Sequence, residues 1–174
     1  NTAIISPGSR NAPLTIAFNR QKNIECISIV DERSAAFFAL GIAQQTGTPV
    51  ALICTSGTAA LNYAPAIAEA YYQEVPLLIL TADRPAHWID KGESQVIRQK
   101  NIYSNYVDHS FELGDDSESE EIINSNFEII TKAINATRLE KKGPVHINIP
   151  LEEPLYNLSE HLDFDLPVII SKSN

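Results

Sequence analysis

Four short polar segments of the sequence carry side chains that can do chemistry, and each follows an apolar run. The segments are SPGSRN at 6–11, DER at 31–33, TSGTAA at 55–60 and TADRP at 81–85. They offer carboxylates, guanidinium groups and hydroxyls, which are the groups that exchange protons with a substrate or bind its anionic parts. Their recurrence after apolar runs predicts one polar site assembled from several loops.

Glu32 is the candidate for catalysis. It follows the apolar run Ile27–Val30 and Asp31, where a predicted strand gives way to a predicted helix. A carboxylate in the first turn of a helix is favoured by the helix dipole, so a purely structural role is the alternative. At the edge of a sheet, the same carboxylate can act as an acid or a base.

The arginines of two segments are candidates for anion binding. Arg10 has a planar guanidinium group that matches a carboxylate through two hydrogen bonds. The alternative for its segment is a tight turn in which Ser9 caps the following helix. Arg84 lies beside Asp83, and a structural ion pair between these two is the alternative there. Gln95, in the segment GESQVIRQ, is ambiguous alone.

Short apolar runs alternate with helix-length segments along the whole chain. The predicted strands are Thr2–Ser6, Ile24–Val30, Val50–Cys54, Leu77–Thr81, Val107–Phe111 and Val145–Ile149. The predicted helices are Pro13–Phe18, Arg33–Gln45, Thr58–Tyr72 and Glu120–Glu140. Several strands are apolar at consecutive positions, which is typical of strands covered on both faces. The pattern predicts an α/β fold with a parallel sheet between two helical layers, and ligands bind such sheets beyond the carboxyl ends of the strands.

The composition excludes some classes of partner. The 174 residues carry a net charge of -9, which argues against nucleic acid or an anionic membrane surface as a general partner. Cys26 and Cys54 lie inside apolar runs, so we expect reduced core cysteines and a cytoplasmic protein. The chain begins in a strand-like run without Met and ends in DFDLPVIISKSN, from which we expect a domain of a longer protein.

Several motifs in order resemble one enzyme family. SPGSRNAPL, DERSAAFFALG, TSGTA, LTADRP, SQVIRQ and GPVHINIPLEEPLY, from Ser6 to Tyr156, resemble the N-terminal domain of the 2-succinyl-5-enolpyruvyl-6-hydroxy-3-cyclohexene-1-carboxylate synthases. These are thiamin-diphosphate enzymes. The resemblance implies a three-layer α/β/α domain with a six-stranded parallel sheet that binds the pyrimidine ring of the cofactor. It places that domain, shortened at its N-terminus, at 1–157 and a linker toward a missing central domain at 158–174.

The resemblance also implies roles for individual residues. Glu32 matches the activating glutamate, whose carboxyl group hydrogen-bonds a pyrimidine nitrogen and promotes loss of the thiazolium C2 proton. The implied cofactor-binding residues are Pro7, Glu32, Thr55 and Thr58. The implied substrate-binding residues are Ser9, Arg10, Arg84 and Gln95. Ser94 stands where family members often have Asn, and the HWIDKG segment also departs from the family pattern.

The implied activity is a carboligation, which is a transferase reaction in menaquinone biosynthesis. Such enzymes decarboxylate 2-oxoglutarate and add the succinyl carbanion to isochorismate. The cofactor diphosphate is held through Mg²⁺ or Mn²⁺ by a Gly-Asp-Gly and Asn motif in another domain, which this sequence lacks. The resemblance therefore implies a homo-oligomer, dimer or tetramer, with a composite site between subunits, and an isolated domain that is inactive.

Two other interpretations stay open at this point. The first is another thiamin-diphosphate carboligase or decarboxylase such as acetolactate synthase. A pyruvate-sized acceptor has fewer carboxylates to bind, so Arg10 and Arg84 disfavour this interpretation. The second is a non-catalytic nucleotide-binding or assembly domain. The sequence has neither a GxGxxG pattern nor a P-loop, which disfavours that class.

Overall fold

The computed structural model describes residues 1–115, 119–138 and 142–155. Within them, six strands form one sheet in the order β2-β1-β3-β4-β6-β5, and every pairing is parallel. The strands are β1 Thr2–Ile5, β2 Glu25–Ser28, β3 Val50–Cys54, β4 Leu77–Asp83, β5 His109–Glu112 and β6 Val145–Pro150. The predicted fold class is confirmed, including the number of strands.

Four α-helices lie between strands in the described part of the chain. They are α1 Ala12–Asn19, α2 Glu32–Thr46, α3 Thr58–Tyr72 and α4 Glu120–Ala136, with a short 3-10 turn at Ala86–Trp88. The predictions for β3 and α3 match to the residue. The strand predicted at 107–111 begins two residues later, and the one predicted at 24–30 is shorter at both ends. Tyr156 and the linker predicted at 158–174 lie outside the described residues.

The core lies on both faces of the sheet, as a three-layer fold requires. On one face, α2 and α3 bury mainly alanines against β1, β3 and β4. On the other face, α1 and α4 contribute side chains that pack against the same strands and β6. Ala36, Ala39 and Ala60 are fully buried. Their small side chains let α2 and α3 pack close to the strands. This close packing holds the first turn of each helix at the edge of the sheet.

The start of α2 is defined by a cap. Asp31 accepts a hydrogen bond from the backbone N–H of Ser34 at 2.7 Å, which satisfies one of the free donors of the first turn. The helix ends at Gly47, whose φ of 65° is the left-handed conformation that glycine adopts most easily. The cap places Glu32 at the first position of the helix, directly beyond β2.

Candidate active site at the carboxyl edge of the sheet

The turns after β1 and β3 are in contact. The backbone of Gly8 approaches Thr55 so closely that a Cβ atom at position 8 would lie 2.5 Å from the Thr55 Cβ. The Ser6 N–H also donates to the Ile53 carbonyl at 2.9 Å. Pro7 is exposed beside this contact, so the structure brings Pro7 and Thr55 to one patch of the edge. Thr58 is exposed at the first position of α3.

The segment that contains Gln95 lies across the turn after β3. A Cβ atom at Gly57, whose φ is 83°, would lie 3.1 Å from the Gln95 backbone. The Gly57 N–H donates to Oε1 of the buried Gln99 at 2.7 Å. The Nε2 of Gln99 donates to the Ala82 carbonyl and to Oδ1 of Asn148, each at 3.1 Å. Gln99 thus ties the ends of β3, β4 and β6 together and keeps the exposed Gln95 at the edge.

Glu32 is partly buried at the first position of α2. Among the described residues, its carboxylate has neither a hydrogen bond nor an ion pair. The pKa of the Cys54 thiol is raised mainly by burial, and the charge of Glu32 adds to this shift. Glu32 therefore lies near Cys54, at the end of β3. An unpaired carboxylate at a strand edge keeps all of its hydrogen-bonding capacity for a ligand.

Two arginines meet at one carboxylate. Arg10, whose side chain is 4% exposed, donates from Nη1 to the Leu151 carbonyl at 2.7 Å and from Nη2 to Glu153 Oε1 at 2.9 Å. Nη1 of Arg84 lies 3.8 Å from the same oxygen, and its guanidinium group lies 5.1 Å from the centre of the Trp88 ring system. The pKa of Arg10 is lowered by burial and by Arg84, while Glu153 acts in the opposite direction.

Two structural alternatives from the sequence are wrong. Asp83 does not pair with the Arg84 side chain: its carboxylate accepts from the Arg84 backbone N–H at 2.7 Å and from Asn148 Nδ2 at 2.8 Å. Ser9 does not cap α1, whose N-cap is Asn11 and has no side-chain cap. Ser9 is exposed and directly precedes the buried Arg10 in the chain, and its role in substrate binding stays a prediction.

A buried polar cluster beneath the edge was not predicted. Asn148 joins Asp83 to Thr81, whose hydroxyl donates to Asn148 Oδ1 at 2.9 Å and lies 2.8 Å from Nε2 of His146. His146 and Asn148 are polar positions inside the otherwise apolar strand VHINIP, and this was the available clue. Glu153 was also missed, because its partners are more than 60 positions away in sequence.

Comparison with known proteins identifies the domain. The sequence model described as thiamine pyrophosphate enzyme, N-terminal TPP binding domain, matches residues 1–102. The chain belongs to this family. The six-stranded parallel fold agrees with this family, and the catalytic role of Glu32 stays a prediction.

Eight of the curated proteins similar to this chain share one name, 2-succinyl-5-enolpyruvyl-6-hydroxy-3-cyclohexene-1-carboxylate synthase. The protein of Flavobacterium johnsoniae is 53% identical over 162 residues, which are 93% of this chain and 28% of that protein. Those of Desulfotalea psychrophila and Bacteroides fragilis are 53% and 44% identical over 88% and 90% of the chain, and 28% of each relative is covered. The resemblance inferred from the motifs is confirmed, and the chain spans less than a third of the length of these relatives.

The edge fits the pyrimidine part of thiamin pyrophosphate. The fit rests on the unpaired Glu32 carboxylate, which can bond a ring nitrogen, and on the turns after β1 and β3, which lie at the same sheet edge and pack closely through Gly8 and Thr55. The described residues contain no group of three or more side chains suited to a metal ion. Nor do they contain a helix long and apolar enough to cross a membrane. Cys26 and Cys54 are free thiols, and Cys54 is buried in the core.

Proposed function

We propose that this chain is the pyrimidine-binding domain of a synthase that decarboxylates 2-oxoglutarate and adds the succinyl unit to isochorismate in menaquinone biosynthesis. The shared name of the relatives supports a synthase of this substrate class. The observation that carries the proposal is the placement, at one edge of the sheet, of an unpaired carboxylate and of two neighbouring guanidinium groups. The whole enzyme is a transferase that joins two carbon fragments.

Glu32 is the proposed catalytic residue. Thiamin diphosphate, when bound, supplies the electron sink for decarboxylation and for carbon–carbon bond formation. Glu32 holds a proton at a pyrimidine nitrogen, and its partial burial strengthens that hydrogen bond relative to one in water. Pro7, Thr55 and Thr58 line the turns on either side and position the ring.

Ser9, Arg10, Arg84 and Gln95 form the proposed substrate side. Both substrates carry more than one carboxylate, and a guanidinium fork binds a carboxylate with geometric specificity. Nη1 of Arg10 donates to the Leu151 carbonyl, which fixes the direction of the guanidinium group. Acetolactate synthesis is the second candidate, but its pyruvate-sized acceptor has one carboxylate and needs fewer cationic partners.

The rest of the enzyme completes the site. We infer that Mg²⁺ or Mn²⁺ and the diphosphate are bound by another domain and that a homo-oligomer, dimer or tetramer, brings that domain against this edge. The exposed Phe37, Phe38 and Leu61 on α2 and α3 are consistent with such a contact. Free thiols and the bacterial relatives support a cytoplasmic location.

The test compares the full-length enzyme with the 174-residue chain. With thiamin diphosphate and Mg²⁺, the full-length enzyme should release CO₂ from 2-oxoglutarate and form the succinyl adduct of isochorismate, measured by mass spectrometry. Pyruvate in place of 2-oxoglutarate should give little product, and efficient acetolactate formation would support the second candidate instead. The isolated chain should fold, by circular dichroism, yet show no turnover. Turnover by the chain alone would overturn the composite-site proposal.

A further inference from the structure

The Glu153 carboxylate lies between the two arginines that are proposed to bind substrate. Its Oε1 lies 2.9 Å from Nη2 of Arg10 and 3.8 Å from Nη1 of Arg84. Because one oxygen serves both, the two guanidinium groups are held side by side despite their like charges. Glu153 is the carboxylate in direct contact with Arg10, whereas Glu152 and Asp83 act on Arg10 only through the longer-range attraction of their charges.

The three side chains differ sharply in exposure. The Arg10 side chain is 4% exposed and that of Arg84 is 17% exposed, whereas that of Glu153 is 56% exposed. A buried guanidinium group without a counterion is costly, so Arg10 needs a carboxylate beside it. Glu153 loses little by leaving, because its carboxylate is well hydrated in the open.

The arginines also keep unused hydrogen-bonding capacity. Within the described part of the chain, Nε of Arg10 and Nε of Arg84 are buried and have no hydrogen-bond partner. A buried donor without a partner is uncommon in proteins and costs stability. A ligand carboxylate that brings a second oxygen can satisfy donors that the single oxygen of Glu153 leaves free.

We propose that Glu153 is an internal stand-in for the substrate carboxylate, which keeps Arg10 and Arg84 in place and is displaced when a carboxylate substrate binds. This inference rests on the proposed substrate role of the arginines. Glu153 is a positioning residue that lowers the apparent affinity for the substrate, since every binding event must break its ion pairs. In return, the empty site avoids two adjacent uncompensated cations.

The test is the Glu153→Gln variant of the full-length holoenzyme. The amide keeps an acceptor oxygen for Arg10 but removes the competing charge. The KM of the substrate that Arg10 binds should fall by about 1.5- to 5-fold, the range of a partly exposed ion pair. The inhibition constant of succinate, used as a dicarboxylate probe, should fall by a similar factor. An unchanged or raised value of both constants would overturn the proposal and make Glu153 a plain structural partner.

A neighbouring residue provides the matched control. Glu152→Gln removes the same charge one position away, from a carboxylate that lies 3.9 Å from Nε2 of His87 and acts on Arg10 more weakly than Glu153, through its charge alone. We expect at most a small change in KM there. An equal fall in both variants would mean a general effect of net charge and would also overturn the displacement.

Two further measurements separate the possible failures. If Arg10→Ala does not raise the KM of either substrate, the proposed substrate role of Arg10 fails; if it does and Glu153→Gln does not lower that KM, only the present inference fails. Should Glu153→Gln not fold, a crystal structure of the wild-type holoenzyme with succinate gives the answer. Succinate on Arg10 with Glu153 moved away supports displacement, and a Glu153 still paired with Arg10 overturns it.

Discussion

Glu32 and Asp83 look alike in sequence and have opposite surroundings in the structure. Each acidic residue lies at or just beyond the end of an apolar run and directly precedes an arginine. Asp83 is 1% exposed and accepts hydrogen bonds from the Arg84 backbone and from Asn148, while burial raises its pKa. Glu32 is partly open and, in the described structure, unpartnered. A carboxylate whose bonds are satisfied internally supports the fold, and one whose bonds are free can serve a ligand.

The largest effect should come from the open carboxylate. Glu32→Gln in the full-length enzyme keeps the size of the side chain but cannot share a proton with the cofactor ring. We expect kcat and kcat/KM each to fall by about 100-fold or more, the usual scale of general acid–base catalysis. Exchange of the cofactor C2 proton in deuterated water, followed by NMR, should slow with them.

The matched control for this change is Glu25→Gln. Glu25 is exposed at the opposite end of the adjacent strand β2, so its loss should leave both rates unchanged. If C2 exchange stays fast in Glu32→Gln, then Glu32 only stabilises the first turn of α2. Its lack of hydrogen-bond partners, in contrast to Asp83, would then be unrelated to catalysis.

A change of Arg10 tests whether the part of the sheet edge that carries Arg10, Arg84 and Glu153 binds substrate. Arg10→Ala removes a charged hydrogen-bond donor worth on the order of 1.5–3 kcal/mol, so the KM of one substrate should rise by roughly 10- to 150-fold. C2 proton exchange should stay near normal, because Arg10 does not act on the cofactor. Arg20→Ala, an exposed change after α1, is the control and should alter neither quantity. Slow exchange in Arg10→Ala would contradict the division of roles.

The polar cluster around Asp83 should show itself in stability rather than catalysis. Burial lowers the pKa of His146 to about 3, whereas an unfolded histidine titrates near 6.5. The unfolded chain therefore binds a proton first as the pH falls. Stability is fully present above about pH 6.5 and is lost toward pH 3, by up to about 1.4 kcal/mol per pH unit from this residue.

The measurement is urea unfolding of the 174-residue chain between pH 7 and pH 4. In His146→Gln, the free energy of unfolding should depend less steeply on pH, by an amount that corresponds to up to one bound proton. This holds whatever the effect of the change on absolute stability. His109→Gln, at an exposed position of β5, should keep the wild-type slope. Equal slopes in His146→Gln and the wild type would mean that His146 is not buried in the neutral form.

The sequence by itself determined the layers and the loops. Consecutive apolar residues in runs such as VALIC predict a strand covered on both faces, and helical segments between such runs require parallel crossovers. The capping residue Asp31 and the turn residues Pro7 and Gly8 mark where strands end. Since carboxyl ends of parallel strands share one edge, the meeting of the four polar loops followed from local pattern alone.

Only the tertiary structure decided which polar groups are free. Whether Asp83 pairs with Arg84 or with Asn148 depends on the order of the strands, which places β6 beside β4. The pairing of Arg10 with Glu153 joins residues 143 positions apart. No local pattern specifies such a contact, because the energy of a charge depends on its burial and on the partners that the folded chain brings to it.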